Sequence, residues 1–197
     1  MNILVLNGSP KGENSITLQT LRYLEKKFHI ENMEVLPVGQ RIKALEKDFS
    51  PALEAIEKAD LLLFSYPVYT FLAPCQLHRF IELMKDSGIS FAGKFAAQIT
   101  TSKHFYDVTA HRYIKDNCLD MGMKYLGGLS ADMEDLLSEK GRKEAEAFFC
   151  HINEVSAVTH AFKGSVLEGS VDKTVIFQGG YHLLHHIYKF CVGKMQD

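Results

Sequence analysis

The sequence has no excess of charge of either sign and no long apolar run. Its 22 Lys and Arg residues are balanced by 24 Asp and Glu residues, which gives a formal net charge of −2. The chain has no surplus of positive charge with which to neutralise a phosphate backbone, so general nucleic-acid binding is not expected. The most apolar stretches, such as residues 59–64, are far shorter than the roughly 20 residues of a membrane-spanning helix. We therefore expect neither a nucleic-acid nor a membrane partner.

Cysteine is also scarce. The four cysteines lie far apart in the chain and form no C-x-x-C pair, so a zinc ribbon or an iron–sulfur cluster has no ligand set. Three histidines, at positions 182, 185 and 186, have no acidic or cysteine residue among them, and we assign no metal. The N-terminus carries neither a cationic leader nor a small-residue cleavage site. Reduced thiols and a cytoplasmic location are the expectation.

What the sequence does contain is an alternation of strand-length apolar runs with stretches of helical periodicity. Its 197 residues, 46% hydrophobic and 23% charged, suit one large domain or one domain with an appendage. The alternation predicts a parallel α/β sheet. The predicted strands are residues 1–6, 34–38, 60–66, 94–101 and 124–129, and the predicted helices are residues 14–28, 50–58, 72–84, 106–121 and 138–158.

These five strand–helix units predict an α/β fold, a flavodoxin-like doubly wound parallel sheet of strand order 2-1-3-4-5, over residues 1–160. Residues 161–197 add a further C-terminal βα unit, with a strand at 173–177 and a helix at 180–192. This extension is a sixth strand, an oligomerisation arm or the start of a truncated further domain, and the sequence does not choose among them.

The loop after the first strand, residues 7–17 (NGSPKGENSIT), is here called the phosphate loop. It combines glycines that allow close backbone approach with hydroxyls and one lysine, and it opens a helix. Free N–H groups and the positive end of the helix dipole at such a position hold a phosphomonoester. It matches neither the Walker A nor the G-x-G-x-x-G pattern. The alternative is a turn with an ordinary Asn or Ser cap.

The loop after the third strand, residues 65–74 (SYPVYTFLAP), is here called the ring loop. Two prolines stiffen it, and three aromatic residues offer flat apolar surface beside backbone amides. A planar heteroaromatic ring needs that combination. The alternative is that the aromatic side chains only close the end of the sheet.

The loop after the fourth strand, residues 100–107 (TTSKHFYD), again mixes hydroxyls with aromatics. Its alternative interpretation is a helix cap by Asp107 or Ser102. His104 is the single imidazole in the three loops, and it is either a proton donor near neutral pH or a solvated loop histidine. It is the one candidate for a catalytic residue.

Taken together, these segments resemble the NADPH-dependent FMN reductase family. Residues 7–11 and 14–17 resemble its phosphate loop, commonly GSPR…SNT. Residues 60–82, from Asp60-Leu61 through Tyr66-Pro67-Val68-Tyr69 to Phe80-Ile81-Glu82, resemble its "ADAI…PVY…P…LK.FID" segment. Residues 93–102 are similar to its third flavin loop. Ile16 stands where the family customarily has Asn, and the cysteine motif of the related iron–sulfur flavoprotein branch is absent.

The resemblance implies bound FMN, a flavodoxin-like fold, and a homodimer or higher homo-oligomer. It also implies the residues that contact the flavin. The phosphate would be held by Ser9, Lys11, Asn14, Ser15 and Thr17, with the backbone N–H of Ile16. The isoalloxazine ring would be bordered by Pro67, Val68, Tyr69 and Thr70, with Thr101, Ser102 and His104 on its other side.

The leading functional hypothesis is an FMN-dependent oxidoreductase that passes a hydride from NAD(P)H to flavin N5 and on to a small-molecule or protein electron acceptor. The absence of a catalytic triad agrees with it, because the cofactor carries the chemistry. One alternative is an FMN-binding electron-transfer module that serves a partner protein or domain without NAD(P)H turnover of its own. A second is a flavodoxin-like scaffold that has lost its cofactor.

Overall fold

The computed structural model describes residues 1–102 and 107–165, with side chains to residue 157. The chain divides into two compact units, Met1–Val155 and Ser156–Asp197. Of the second unit only the helical residues 156–165 are described. The strand expected at 173–177, the helix expected at 180–192 and His104 lie outside the described residues.

A single parallel sheet forms the centre of the first unit. Its five strands lie in the order β2-β1-β3-β4-β5, which confirms the predicted fold and strand order. The strands are β1 (Ile3–Asn7), β2 (Met33–Leu36), β3 (Leu61–Pro67), β4 (Phe95–Ser102) and β5 (Lys124–Asp132). β1 and β4 are buried throughout, and β3 is buried up to Tyr66, as expected of parallel strands that are covered on both faces.

Helices cover both faces of the sheet. They are α1 (Ile16–Phe28), α2 (Val38–Leu45), α3 (Ser50–Lys58), α4 (Cys75–Asp86), α5 (Val108–Asp120) and α6 (Glu139–Ser165). One apolar core lies between the sheet and α2 to α5, and the other lies between the sheet and α1 with the first half of α6. None of the helices in the described part of the chain is long and apolar enough to cross a membrane.

The predicted bounds of α3 were correct to the residue, while the prediction for the segment before it was wrong. The second strand ends at Leu36 rather than at residue 38, and the unpredicted helix α2 begins at Val38. Pro37 explains the difference, since a residue without an N–H cannot continue a strand ladder. α2 escaped prediction because it has only eight residues, contains Gly39 and has no capping side chain.

The other predicted bounds of helices and strands differ from the observed ones by a few residues. α4 begins at Cys75 rather than at residue 72, because residues 69–72 form a tight turn. α1 and α5 each begin two residues later than predicted. β5 continues to Asp132, and α6 continues to Ser165.

Candidate functional site

The three loops that the sequence singled out leave adjacent strands at the same edge of the sheet. β1, β3 and β4 are consecutive in the sheet order, and the chain order reverses between β1 and β3 because β2 lies on the far side of β1. In an open α/β sheet, a ligand binds outside the carboxyl ends of the strands at such a reversal. The candidate site is therefore this edge.

The phosphate loop is shaped by a buried asparagine. Asn7 Nδ2 donates to the Gly12 carbonyl at 3.1 Å, and Asn7 Oδ1 accepts from the Ser9 backbone N–H at 3.1 Å. Ser9 is also buried, and its Oγ accepts from the Lys11 backbone N–H at 3.3 Å. The loop then makes a short 3-10 turn, Gly12–Asn14, before α1. Lys11 and Asn14 are exposed, so the loop has a fixed polar interior and a solvent-facing rim.

The N-terminus of α1 has no side-chain cap. Ser15 is the N-cap residue in extended conformation and is buried, yet its side chain makes no capping hydrogen bond. The backbone N–H groups of the first helical turn, from Ile16 onward, are thus left for a ligand. Ile16 itself is 40% exposed. This geometry disfavours the capped-turn alternative for the phosphate loop.

Helix α2 packs directly against the phosphate loop. A Cβ at Gly39 would overlap the backbone of Ser9 and would lie 2.7 Å from the Gly8 carbonyl oxygen. The loop can lie on α2 only because this position has no side chain. Sequence reasoning did not find Gly39, since nothing in the local pattern marks it.

The ring loop begins where β3 ends at Pro67. Val68 is half-buried, and the backbones of Tyr69 and Leu72 pair through two hydrogen bonds of 2.9 and 3.1 Å. The two residues between them, Thr70 and Phe71, have φ of 48° and 72°, a left-handed conformation that costs about 1–2 kcal/mol per non-glycine residue.

Three large apolar side chains of this turn are about half exposed. Tyr69, Phe71 and Leu72 are 46%, 47% and 48% exposed. Of the loop's three aromatic side chains, that of Tyr66 is buried in the core, so the structural alternative holds for Tyr66, while Tyr69 and Phe71 leave about half of their surface exposed. The ring loop therefore presents apolar surface at the edge where the phosphate loop presents backbone donors.

The end of β4 lies between the other two loops and contacts both. The Thr101 carbonyl accepts from the Val68 backbone N–H at 3.0 Å, and Thr101 Oγ1 lies 2.6 Å from Thr17 Oγ1. Among the predicted site residues, Thr17, Val68 and Thr101 are thus brought together directly. Asp107 is the N-cap residue of α5, but its side chain makes no capping hydrogen bond.

Buried polar atoms without partners collect at this edge. Within the described chain, the hydroxyls of Ser65 and Ser102 are buried and make no hydrogen bond, and Asp107 Oδ2 accepts none. Ser65 is on β3, Ser102 is the last residue of β4, and Asp107 opens α5. An unpaired buried polar group costs about 1–3 kcal/mol, so such groups mark positions where a polar ligand compensates. A ligand with a phosphate group, hydroxyls and a planar heteroaromatic ring fits the uncapped N-terminus of α1, the two serine hydroxyls and the apolar surface of the ring loop.

A buried polar network joins β3, β4 and β5 beneath α5. Gln98 joins Tyr66 and Tyr125, and its Nε2 donates to the His111 carbonyl at 3.0 Å. His111 Nε2 lies 2.7 Å from Thr100 Oγ1 and 3.5 Å from Asp107 Oδ2. Desolvation lowers the pKa of His111, and the nearby Asp107 charge partly opposes that shift. Burial raises the pKa of both tyrosines.

His111 is a site-supporting residue that the sequence did not reveal. Its ring lies on β5 because Gly128 has no side chain: a Cβ there would be 2.8 Å from His111 Nδ1. A sequence signal existed in the Gly127-Gly128 pair within a strand, since glycine in a strand often marks a close approach. No group of three or more potential metal ligands occurs among residues 1–102 and 107–157.

The sheet order and the three loops define a protein of the flavodoxin-like class. The NADPH-dependent FMN reductase family matches residues 1–133, which include all three loops. The chain belongs to this family. Its cofactor is accordingly FMN, and a reduced nicotinamide fits as the co-substrate.

Solved structures support the fold. RosB, solved with a bound formylated riboflavin-5′-phosphate intermediate, is 16% identical, with a TM-score of 0.65 over 87% of this chain and 88% of RosB. General stress protein 14 of Treponema denticola in complex with FMN is 13% identical, with a TM-score of 0.60 over 78% and 99%. An NADH:FMN oxidoreductase (EMOB) in its apo form is 22% identical, with a TM-score of 0.57 over 75% and 87%. A search of curated proteins finds no match to this chain.

Proposed function

We propose that this protein transfers a hydride from NAD(P)H through FMN to a small-molecule or protein acceptor, and that FMN binds at the three-loop edge of the domain formed by residues 1–160. One observation carries the location: the α1 N-terminus has no side-chain cap and lies at the edge that holds the unpaired buried hydroxyls of Ser65 and Ser102. Helix N–H groups and hydroxyl donors are the chemistry that a phosphate and a flavin ring rim require.

In this proposal the phosphate loop fixes the phosphate. Ser9, Ser15 and Thr17 line its buried side, Lys11 and Asn14 approach from the exposed rim, and Ile16 contributes its backbone N–H. Asn7 holds the loop in shape through its two hydrogen bonds. Internal hydrogen bonds that fix the shape of a binding loop lower the entropic cost of binding.

The ring loop and the end of β4 border the flavin ring. Pro67, Val68, Tyr69 and Thr70 lie along one side, and Thr101, Ser102 and His104 are assigned to the other. The exposed side chain of Tyr69 supplies an apolar surface on which a planar substrate can stack. When bound, FMN supplies the two-electron redox chemistry of the reaction. The protein binds the flavin, orients the substrates and shields both from solvent, and it needs no nucleophile.

The test starts with the absorption spectrum of the purified full-length chain after addition of FMN and desalting. Retained flavin is expected, with a lower yield for Ser15→Ala than for the surface control Lys43→Ala in α2. Stopped-flow mixing with NADPH and then NADH should bleach the bound flavin. Bleaching followed by steady turnover with a dye acceptor supports the reductase.

Other outcomes of the same experiment have distinct meanings. Flavin that is retained but is not reduced by either nicotinamide would identify an FMN-binding electron-transfer module instead. If the chain retains no flavin even at excess FMN, the proposal is wrong and the scaffold alternative holds. Homodimer or higher homo-oligomer formation stays a prediction, to be checked by light scattering, and the cytoplasmic location stays one to be checked by fractionation.

A further inference from the structure

Two buried threonines connect the phosphate loop to the ring loop. Thr17, in the first turn of α1, is 0% exposed, and Thr101, near the end of β4, is 3% exposed. Their hydroxyl oxygens are 2.6 Å apart. Thr101 also holds the ring loop, because its carbonyl accepts the Val68 N–H. One residue thus joins one loop through its side chain and the other through its main chain.

The hydrogen-bond capacity of this pair is not used up. Each threonine hydroxyl has one hydrogen to donate and two lone pairs. Their mutual bond uses one hydrogen, and neither oxygen has another partner within the described chain. The pair therefore keeps one spare hydrogen, and whichever hydroxyl gives its hydrogen to a ligand must accept from the other.

We propose that the Thr17–Thr101 hydroxyl pair is a positioning element that couples the two loops, so that the phosphate end of FMN and the ring loop are set together. This inference rests on the proposed function, since it requires FMN at both loops. Neither threonine is a catalytic residue. Their role is to transmit the position of the phosphate loop to the strand that carries the ring loop.

A double-mutant cycle measures the coupling directly. FMN dissociation constants are obtained by flavin fluorescence titration for wild type, Thr17→Val, Thr101→Val and the double variant. Valine keeps the shape and removes the hydroxyl. Each single change should weaken FMN binding about 3- to 10-fold, the effect of one hydrogen bond. The double variant should lose less than the product of the two single losses, because both single changes remove the same link.

Riboflavin, which lacks the phosphate, separates coupling from a general structural defect. Thr17→Val should bind riboflavin within about 2-fold of wild type, because this ligand does not engage the phosphate loop through a phosphate. Thr17→Ser and Thr101→Ser keep the hydroxyl and should restore FMN binding. Thr20→Val, at another buried threonine of α1, is the matched control and should leave FMN binding unchanged.

Several results would overturn the proposal. Multiplicative losses in the double variant, or equal losses for FMN and riboflavin in Thr17→Val, would show two independent or merely structural threonines. If the serine variants bind no better than the valine variants, the hydroxyl link is not what matters. Should a valine variant fail to fold, cysteine, a weak donor, takes its place in the same cycle. A wild-type chain that binds no FMN would instead refute the proposed function, which is a distinguishable failure.

Discussion

The phosphate loop and the ring loop serve one edge of the sheet but are built in opposite ways. Buried side-chain hydrogen bonds from Asn7 and Ser9 brace the phosphate loop from within. The ring loop is held by main-chain bonds between Tyr69 and Leu72, in a left-handed conformation, with its side chains exposed. A charged group of fixed shape requires fixed donors, whereas a planar ring and its passing substrates require accessible apolar surface.

The largest effect is expected where α2 supports the phosphate loop. Gly39→Ala places a methyl group into the Ser9 backbone and should destabilise the protein by about 3 kcal/mol, at the upper end of overpacking costs. FMN affinity should fall with it. Helix propensity alone predicts the opposite sign, a gain of about 1 kcal/mol for this change. Urea unfolding decides between the two, with Lys43→Ala in the same helix as the control, and a gain in stability would contradict the close packing.

The second prediction tests the hydrogen bonds that Asn7 makes within the phosphate loop. Asn7→Ala removes two buried hydrogen bonds and leaves the Ser9 N–H without its acceptor, so we expect a loss of about 2 kcal/mol. Asn2→Ala, at the exposed start of the same strand region, should cost well under about 1 kcal/mol. Thermal unfolding of both variants checks the difference. Equal losses would mean that the phosphate loop keeps its shape without Asn7.

A smaller effect of opposite sign is expected in the ring loop. Thr70→Gly should stabilise the protein by about 0.5–1 kcal/mol. Glycine relieves the strain of the left-handed conformation, but it also raises the conformational entropy of the unfolded chain, which offsets part of that stabilisation. Thr70→Ala keeps a Cβ at the same φ of 48° and should not stabilise. Chemical denaturation of the two variants separates strain from the loss of the side chain. If alanine and glycine behave alike, the turn is not strained.

The smallest effect is expected in the pH dependence of stability, through His111 beside the end of β4. Burial lowers the pKa of His111 below its ordinary value, so as pH falls the unfolded chain binds the proton first. Stability from neutral His111 is therefore intact above about pH 6.5 and is lost as pH falls toward the folded pKa. Urea midpoints from pH 7.5 to 5.5 should fall more steeply for wild type than for His111→Gln.

The controls for this prediction lie elsewhere in the chain. His78 also has a pKa lowered by burial, but it is present in both proteins, so its contribution cancels in the difference. His29→Asn changes an exposed helix C-cap whose left-handed backbone suits asparagine, and it serves as the control for a histidine replaced far from β4. Parallel slopes for wild type and His111→Gln would show that the β4 end is not supported by a titrating group.

Much of the fold was predictable, because periodicity reports burial. The continuous apolar runs of β1, β3 and β4 and the amphipathic pattern of α3 depend on local chemistry that the sequence displays. The three loops were found because hydroxyl, glycine and aromatic residues follow strands whose ends must meet at one edge. Short α2 was missed, because its eight residues carry Gly39 and no cap.

The contacts between loops could not be predicted in the same way. Nothing near Thr17 indicates that its partner is Thr101, and nothing near His111 indicates Thr100 and Gly128, because these contacts depend on strand register and helix placement. The requirement for glycine at position 39 likewise comes only from the phosphate loop that packs on it. Sequence patterns located the candidate site, while the pairing of its side chains required coordinates.

The register of the sheet also sets when this site can exist during folding. The Thr17–Thr101 bond joins residues 84 positions apart, and the strand ends meet through the pairs Asn7↔Ser65 and Pro67↔Thr101. Parallel pairing of such distant segments is slow, because chain-closure entropy is lost before the contacts form. Under the proposed function, a nascent chain has no complete flavin site until β4 has docked, so flavin capture follows the pairing of β3 with β4.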